Sequence, residues 1–133
     1  MKKIKAYAFT LFATYVVLML SLFPVPEIPE LEDVPMSDKW AHFIMYGAYS
    51  IAFWIDILRN KKYHKDKITK GKQFYFPCLL SLIIPSAIGG AIEIIQPLVG
   101  RSCELLDFYA DVIGASLGTV IMLLFSIFYR DCK

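Results

Sequence analysis

The sequence predicts an all-α polytopic membrane protein, a four-transmembrane-helix bundle forming one domain over residues 1–133. Two observations carry this. The 133 residues are 57% apolar, 15% aromatic and only 20% charged, with mean hydropathy +0.53. A soluble domain is roughly 45–50% apolar and about 25% charged. The apolar excess also falls into four blocks of about 20 residues, the length that crosses a bilayer core of roughly 30 Å at about 1.5 Å per residue. This pattern excludes a soluble globular enzyme, a disordered tail and a secreted disulfide scaffold. Cys78 lies in an apolar block, Cys103 in a short loop and Cys132 in the tail, so they set no disulfide framework.

The first block, 4–23, follows Lys2 and Lys3 and contains Lys5. It is longer than the roughly 7–15-residue core of a signal peptide, and no small-x-small cleavage site follows it, so an uncleaved first span is expected. Pro24 and Pro26 end that helix. The second block is 38–58, where Asp56 is expected to snorkel to the interface or to pair with Arg59 or Lys61. The third, 74–95, contains Pro77, Pro85, Gly89 and Gly90. A kink is expected there, and carbonyls freed by the prolines must find partners within the bundle. The fourth is 108–128. Its Gly114 and Gly118 allow close helix approach, read as packing inside the bundle rather than as a dimer contact.

Basic residues orient the chain. Lys2, Lys3 and Lys5, the loop residues Arg59, Lys61, Lys62, Lys65, Lys67, Lys70 and Lys72, and the tail residues Arg130 and Lys133 all fall on one side. The other side holds Lys39 and Arg101 beside the acidic Glu27, Glu30, Glu32 and Asp33. By the positive-inside rule both termini and the basic loop are cytoplasmic. The loop is read as a topology signal resting on anionic lipid, and no nucleic-acid partner is expected.

Ionisable residues within spans are costly and mark function or specific pairing. Here they gather at the extracytoplasmic end. Asp38, His42 and Tyr46 share one face of the second span at i, i+4, i+8, with Lys39 alongside, and Glu93 and Gln96 share a face of the third. The outer loop adds Arg101 and Glu104, and the fourth span begins with Asp107 and Asp111. His42, Glu93 and Asp111 lie about one helical turn, roughly 6 Å, below the outer surface. Three spans with polar residues at one depth are expected to aim them at one another, Arg101 included. Leaving His42 aside, two positive groups face five negative ones. Water must enter, a carboxyl must keep its proton, or a cation must bind. Without any ligand the same residues would form a polar clamp that fixes helix packing.

The segments Asp38-Lys39-x-x-His42-x-x-x-Tyr46, Glu93-x-x-Gln96-x-x-x-x-Arg101 and Asp107-x-x-x-Asp111-x-x-Gly114-x-x-x-Gly118 resemble the VanZ-like family of small bacterial membrane proteins, in the same order and on the corresponding spans. Asp111 stands where many members carry Asn. The family's namesake is associated with low-level teicoplanin resistance. The resemblance therefore implies residence in the bacterial cytoplasmic membrane and work at the outer face of the cell envelope.

Two functions compete. In the first, the outer basin (Asp38, Lys39, His42, Tyr46, Glu93, Gln96, Arg101, Asp107 and Asp111) binds an envelope lipid headgroup, a cell-wall precursor or the drug. Lys39 and Arg101 would meet phosphate or carboxylate, and the acids an amine, a hydroxyl or a cation. In the second, the chain is a membrane-embedded transferase or hydrolase acting on an envelope lipid, with His42 as base and Glu93 or Asp111 as acid or orienter. The sequence requires no cofactor. A divalent cation on Glu93, Asp107 and Asp111 would be magnesium, calcium or manganese, since one outer histidine is available. A proton or ion path fits less well, because the ionisable residues stop in the outer third.

Overall fold

The computed structural model describes residues 6–23, 35–60 and 72–131. Lys2, Lys3 and Lys5, the acidic Glu27 to Asp33, the loop lysines 61–70 and Lys133 lie outside the described residues, so the expected charge asymmetry is not tested by them. Every regular element described is helical: α1 (Ala8–Leu22), α2 (Ser37–Arg59), α3 (Lys72–Ile95), a 3-10 turn (Gln96–Val99) and α4 (Leu105–Asp131). Three helices, Ser37–Arg59, Tyr75–Val99 and Leu105–Phe128, are long and apolar enough to cross a membrane. The described part of α1 has 15 residues, or about 22 Å, and residues 4 and 5 of the expected first span precede what is described.

The bundle is inverted relative to a soluble protein. Phe12, Ile44, Ile83, Ile94, Leu117 and Phe125 point outward, while Ser50, Asp56, Ser81, Glu93, Asp107, Asp111 and Thr119 are buried. In water such a surface would be an aggregation hazard. In hydrocarbon it is the required one, because lipid solvates apolar side chains and polar groups must satisfy one another inside.

Helix α2 is the centre of the bundle and packs against α1, α3 and, most extensively, α4. The α2–α4 contact depends on missing side chains. A Cβ on Gly114 would collide with the Phe43 carbonyl, and one on Gly118 with the Gly47 carbonyl. The Gly114/Gly118 pair is thus spent within the bundle, as expected. Helix α3 runs unbroken through Pro77 and Pro85. Pro85 has no N–H for the Ser81 carbonyl one turn earlier. Ser50 Oγ of α2 donates to that carbonyl at 2.7 Å instead. Ser81 Oγ donates to Cys78 O (3.1 Å) and so accepts from Thr119 Oγ1 at 3.0 Å, which extends the link to α4.

Asp56 corrects the sequence reading. It is fully buried, and its Oδ2 accepts from Thr10 N (2.7 Å) and Thr10 Oγ1 (2.9 Å). Thr10 lies in the first turn of α1, where backbone N–H groups lack intrahelical partners and the helix dipole favours an anion. The carboxylate is held by the start of a neighbouring helix rather than by Arg59, and Lys61 lies outside the described residues. Arg59 instead lies over the Phe9 ring, 4.9 Å from its centroid, a cation–π contact.

Candidate functional site

The close α2–α4 crossing brings His42 and Asp111 together just beyond Phe43 and Gly114. His42 Nδ1 and Asp111 Oδ1 lie 2.8 Å apart, with side chains 5% and 1% exposed. Helix α3 supplies the third wall. Gly89 passes so close that a Cβ there would fall 2.5 Å from Asp111 Oδ2 and 3.1 Å from Tyr46 Cε1. Glu93, one turn further along α3, is also buried. Its Oε2 accepts from the Glu104 backbone N–H at 3.0 Å, which ties α3 to the residue preceding α4. His42, Glu93 and Asp111 each offer an atom within 4.8 Å of the others.

Above this floor sits a rim. Lys39 Nζ pairs with Glu104 Oε2 at 2.7 Å and with Asp107 Oδ1 at 2.8 Å. Asp38 is exposed beside it, and Asp38, His42 and Asp107 form a second trio within 4.8 Å. A cleft of about 190 Å³ between α3 and α4, bounded by Gly90, Ile94, Leu105 and Phe108, opens onto Glu93.

The structure therefore gathers Lys39, His42, Glu93, Asp107 and Asp111 as expected, with Tyr46 lying parallel to the His42 ring (interplanar angle 8°). It does not bring Arg101 or the Gln96 amide nitrogen to them. Arg101 Nη1 donates to Leu20 O (3.0 Å) and Ser21 O (3.2 Å), and Gln96 Nε2 donates to Ser21 O at 3.2 Å. Both close the end of α1, whose last carbonyls have no intrahelical partner and carry negative dipole. A set of Glu93, Asp107 and Asp111 as joint metal ligands is likewise not assembled as one group. Asp107 is drawn to Lys39, and His42 takes its place beside Glu93 and Asp111. Glu104, expected among the outer polar groups, joins the site through Lys39 and Glu93, and Gly89, expected only as part of a kink, belongs to it as well. Gly89 stands four residues before Glu93, on the same face of α3, and that spacing was the available signal.

Both cations of this end are engaged, Lys39 by two carboxylates and Arg101 by two carbonyls. The floor has the opposite property. Glu93 Oε1, Asp111 Oδ2 and the Tyr46 hydroxyl are buried without a hydrogen-bond partner among the described residues. A buried acceptor left unpaired costs roughly 1–3 kcal/mol, and more when charged. A clamp accounts for Lys39, Arg101 and the Gln96 amide nitrogen, each of which has a partner, although Gln96 Oε1 is itself buried without one among the described residues. It leaves two carboxylate oxygens unexplained. Chemically, the floor can accept hydrogen bonds or hold positive charge, and His42 oriented by Asp111 can carry a proton.

No family model, curated protein or solved structure matches the chain.

Proposed function

We propose that the chain is a VanZ-like protein of the bacterial cytoplasmic membrane, with both termini cytoplasmic and a ligand-binding basin at its extracytoplasmic end. The observation that carries the binding role is the pair of buried, unpartnered oxygens, Glu93 Oε1 and Asp111 Oδ2. Because Lys39 and Arg101 are engaged elsewhere, the basin offers acceptors and negative charge. It suits a donor-rich or cationic group, such as an amine or hydroxyl on an envelope lipid or cell-wall precursor, rather than a phosphate. The family resemblance extends the proposal to glycopeptide susceptibility. Expression should then alter teicoplanin susceptibility, and Glu93→Gln should remove the change.

Binding is tested by native mass spectrometry of the detergent-purified protein offered phosphatidylethanolamine or phosphatidylglycerol. The amine lipid should be retained preferentially, and Glu93→Gln should abolish the preference. Equal retention of both lipids by the wild type would overturn the reading. Orientation is tested separately. Reporter fusions at Glu30 and Arg101 should report outside and one at Lys65 inside, whereas an inside signal at Glu30 would refute it.

A second reading, a transferase or hydrolase acting on an envelope lipid, is favoured by the buried His42–Asp111 pair at 2.8 Å, the arrangement of a base held by its orienter. Lipid mass spectrometry on cells expressing wild type or His42→Ala separates the two. A chemically altered lipid that disappears with His42→Ala supports catalysis, and an unchanged lipid profile supports binding alone.

A further inference from the structure

The floor of the basin has the composition and spacing of a metal site. His42, Glu93 and Asp111 come from three different helices, and one ligand atom of each lies within 4.8 Å of the others. Ligands bound at about 2.0–2.2 Å stand roughly 3 Å (adjacent) or about 4.2 Å (opposite) apart in an octahedral shell and roughly 3.4 Å apart in a tetrahedral one, so side chains at the 4.8 Å limit close by about 0.6 Å for the first and about 1.4 Å for the second. The 2.8 Å between His42 Nδ1 and Asp111 Oδ1 already matches an adjacent pair. Without a metal it is a hydrogen bond. With one it becomes an edge of the coordination shell, and the shared proton leaves.

Three further observations point to a cation. Glu93 Oε1 and Asp111 Oδ2 are unpartnered in residues only 4% and 1% exposed. The Tyr46 hydroxyl is fully buried and also unpartnered, and its ring edge and Asp111 Oδ2 both pack against the bare Cα of Gly89. Among the described residues no basic side chain supplies the missing positive charge, since Lys39 is held by Glu104 and Asp107 and Arg101 by the end of α1. The second oxygen of Glu93 is fixed by the Glu104 N–H, the kind of outer contact that orients a ligating carboxylate.

We propose that His42, Glu93 and Asp111 bind one divalent first-row transition-metal ion. Two carboxylates match its charge. The imidazole shifts preference from magnesium and calcium, which take all-oxygen shells, toward zinc or manganese. The inference deepens the binding-basin reading and rests on it, the ion being the cationic group that the floor accepts or the bridge to a lipid oxygen.

The test is titration of the full-length protein, purified in detergent and stripped with chelator, using Zn²⁺, Mn²⁺, Mg²⁺ and Ca²⁺ in turn. One Zn²⁺ or Mn²⁺ should bind per chain, and Glu93→Gln or Asp111→Asn should weaken it by more than about 100-fold, beyond the roughly 10–100-fold typical of outer-contact changes. Asp107→Asn, which alters the rim, should weaken it less. With Mn²⁺, electron spin echo measurements should detect an imidazole nitrogen, lost in His42→Gln. No Zn²⁺ or Mn²⁺ bound to the wild type, tighter Mg²⁺ or Ca²⁺ binding, or affinity unchanged in both carboxylate variants would each overturn the proposal. Amine-lipid retention measured on the same preparations separates the two readings. If it survives in metal-free wild type and is lost in Glu93→Gln, the basin stands and the metal falls. If neither ligand binds, both readings fall.

Discussion

The two ends of this bundle each bury a carboxylate almost completely, and they surround it differently. At one end Asp56 Oδ2 takes two donors, the backbone N–H and hydroxyl of Thr10, at the start of α1, while its Oδ1 is buried without a partner among the described residues. Helix geometry alone explains that contact, since the first turn of a helix has free N–H groups and positive dipole. At the other end Asp111 meets only His42, its second oxygen packs against the bare Cα of Gly89, and among the described residues it shares its surroundings with Glu93 and no free cation. A buried acid answered by a neighbouring helix is structural. An open oxygen occurs at both ends; what sets Asp111 apart is a second buried acid with its own open oxygen beside it, an arrangement suited to something that arrives from outside the fold.

The comparison can be broken at its hinge. Gly114→Ala drives a Cβ into the Phe43 carbonyl, with backbone on both sides and no flexible side chain to yield. Overpacking typically costs 1–3 kcal/mol, and this contact should cost about 3 kcal/mol or more. Because α2 and α4 must separate, the His42–Asp111 pair should part as well. Unfolding of the purified variant in detergent, with ligand titration alongside, should register losses of both stability and binding.

Asp56→Ala should be nearly as damaging to stability, about 2–4 kcal/mol, since it leaves two donors of the first turn of α1 unpaired. Ligand binding by the folded fraction should be unchanged, and a loss of affinity matching the loss of stability would erase the contrast between the ends. Thr10→Val, which removes one donor to a charged acceptor, should cost about 1.5 kcal/mol by the same measurement. Arg101→Ala should cost least, about 1 kcal/mol, because it uncaps the α1 carbonyls at a partly exposed position. It should leave binding intact. Impaired binding in a stable Arg101→Ala protein would return Arg101 to the basin.

The sequence made the architecture legible because hydropathy blocks and span length are read directly from composition. The expected 38–58, 74–95 and 108–128 lie within helices that extend a residue or more further, to Ser37–Arg59, Lys72–Ile95 and Leu105–Asp131. The convergence of His42, Glu93 and Asp111 was also legible, from shared depth and helical spacing. The partners of Arg101, Gln96 and Asp56 were not. Each bonds a backbone group at an end of α1, and a backbone N–H or carbonyl has no letter in the sequence. Gly89 was legible as a helix irregularity but not as the close contact of Asp111 Oδ2, because that role depends on the neighbouring helix.

The central claim is that the His42 end is a site and not a clamp, and the most direct measurement is the melting temperature of ligand-free Glu93→Gln beside its ligand affinity. In a site the second, uncompensated carboxylate is a burden until ligand arrives. The variant should therefore match or exceed wild-type stability, within about 1 kcal/mol on the low side, while binding is lost. In a clamp the same change removes a partner from a buried charged network. A fall of about 3–5 kcal/mol, with binding lost only in proportion to folded protein, would contradict the account.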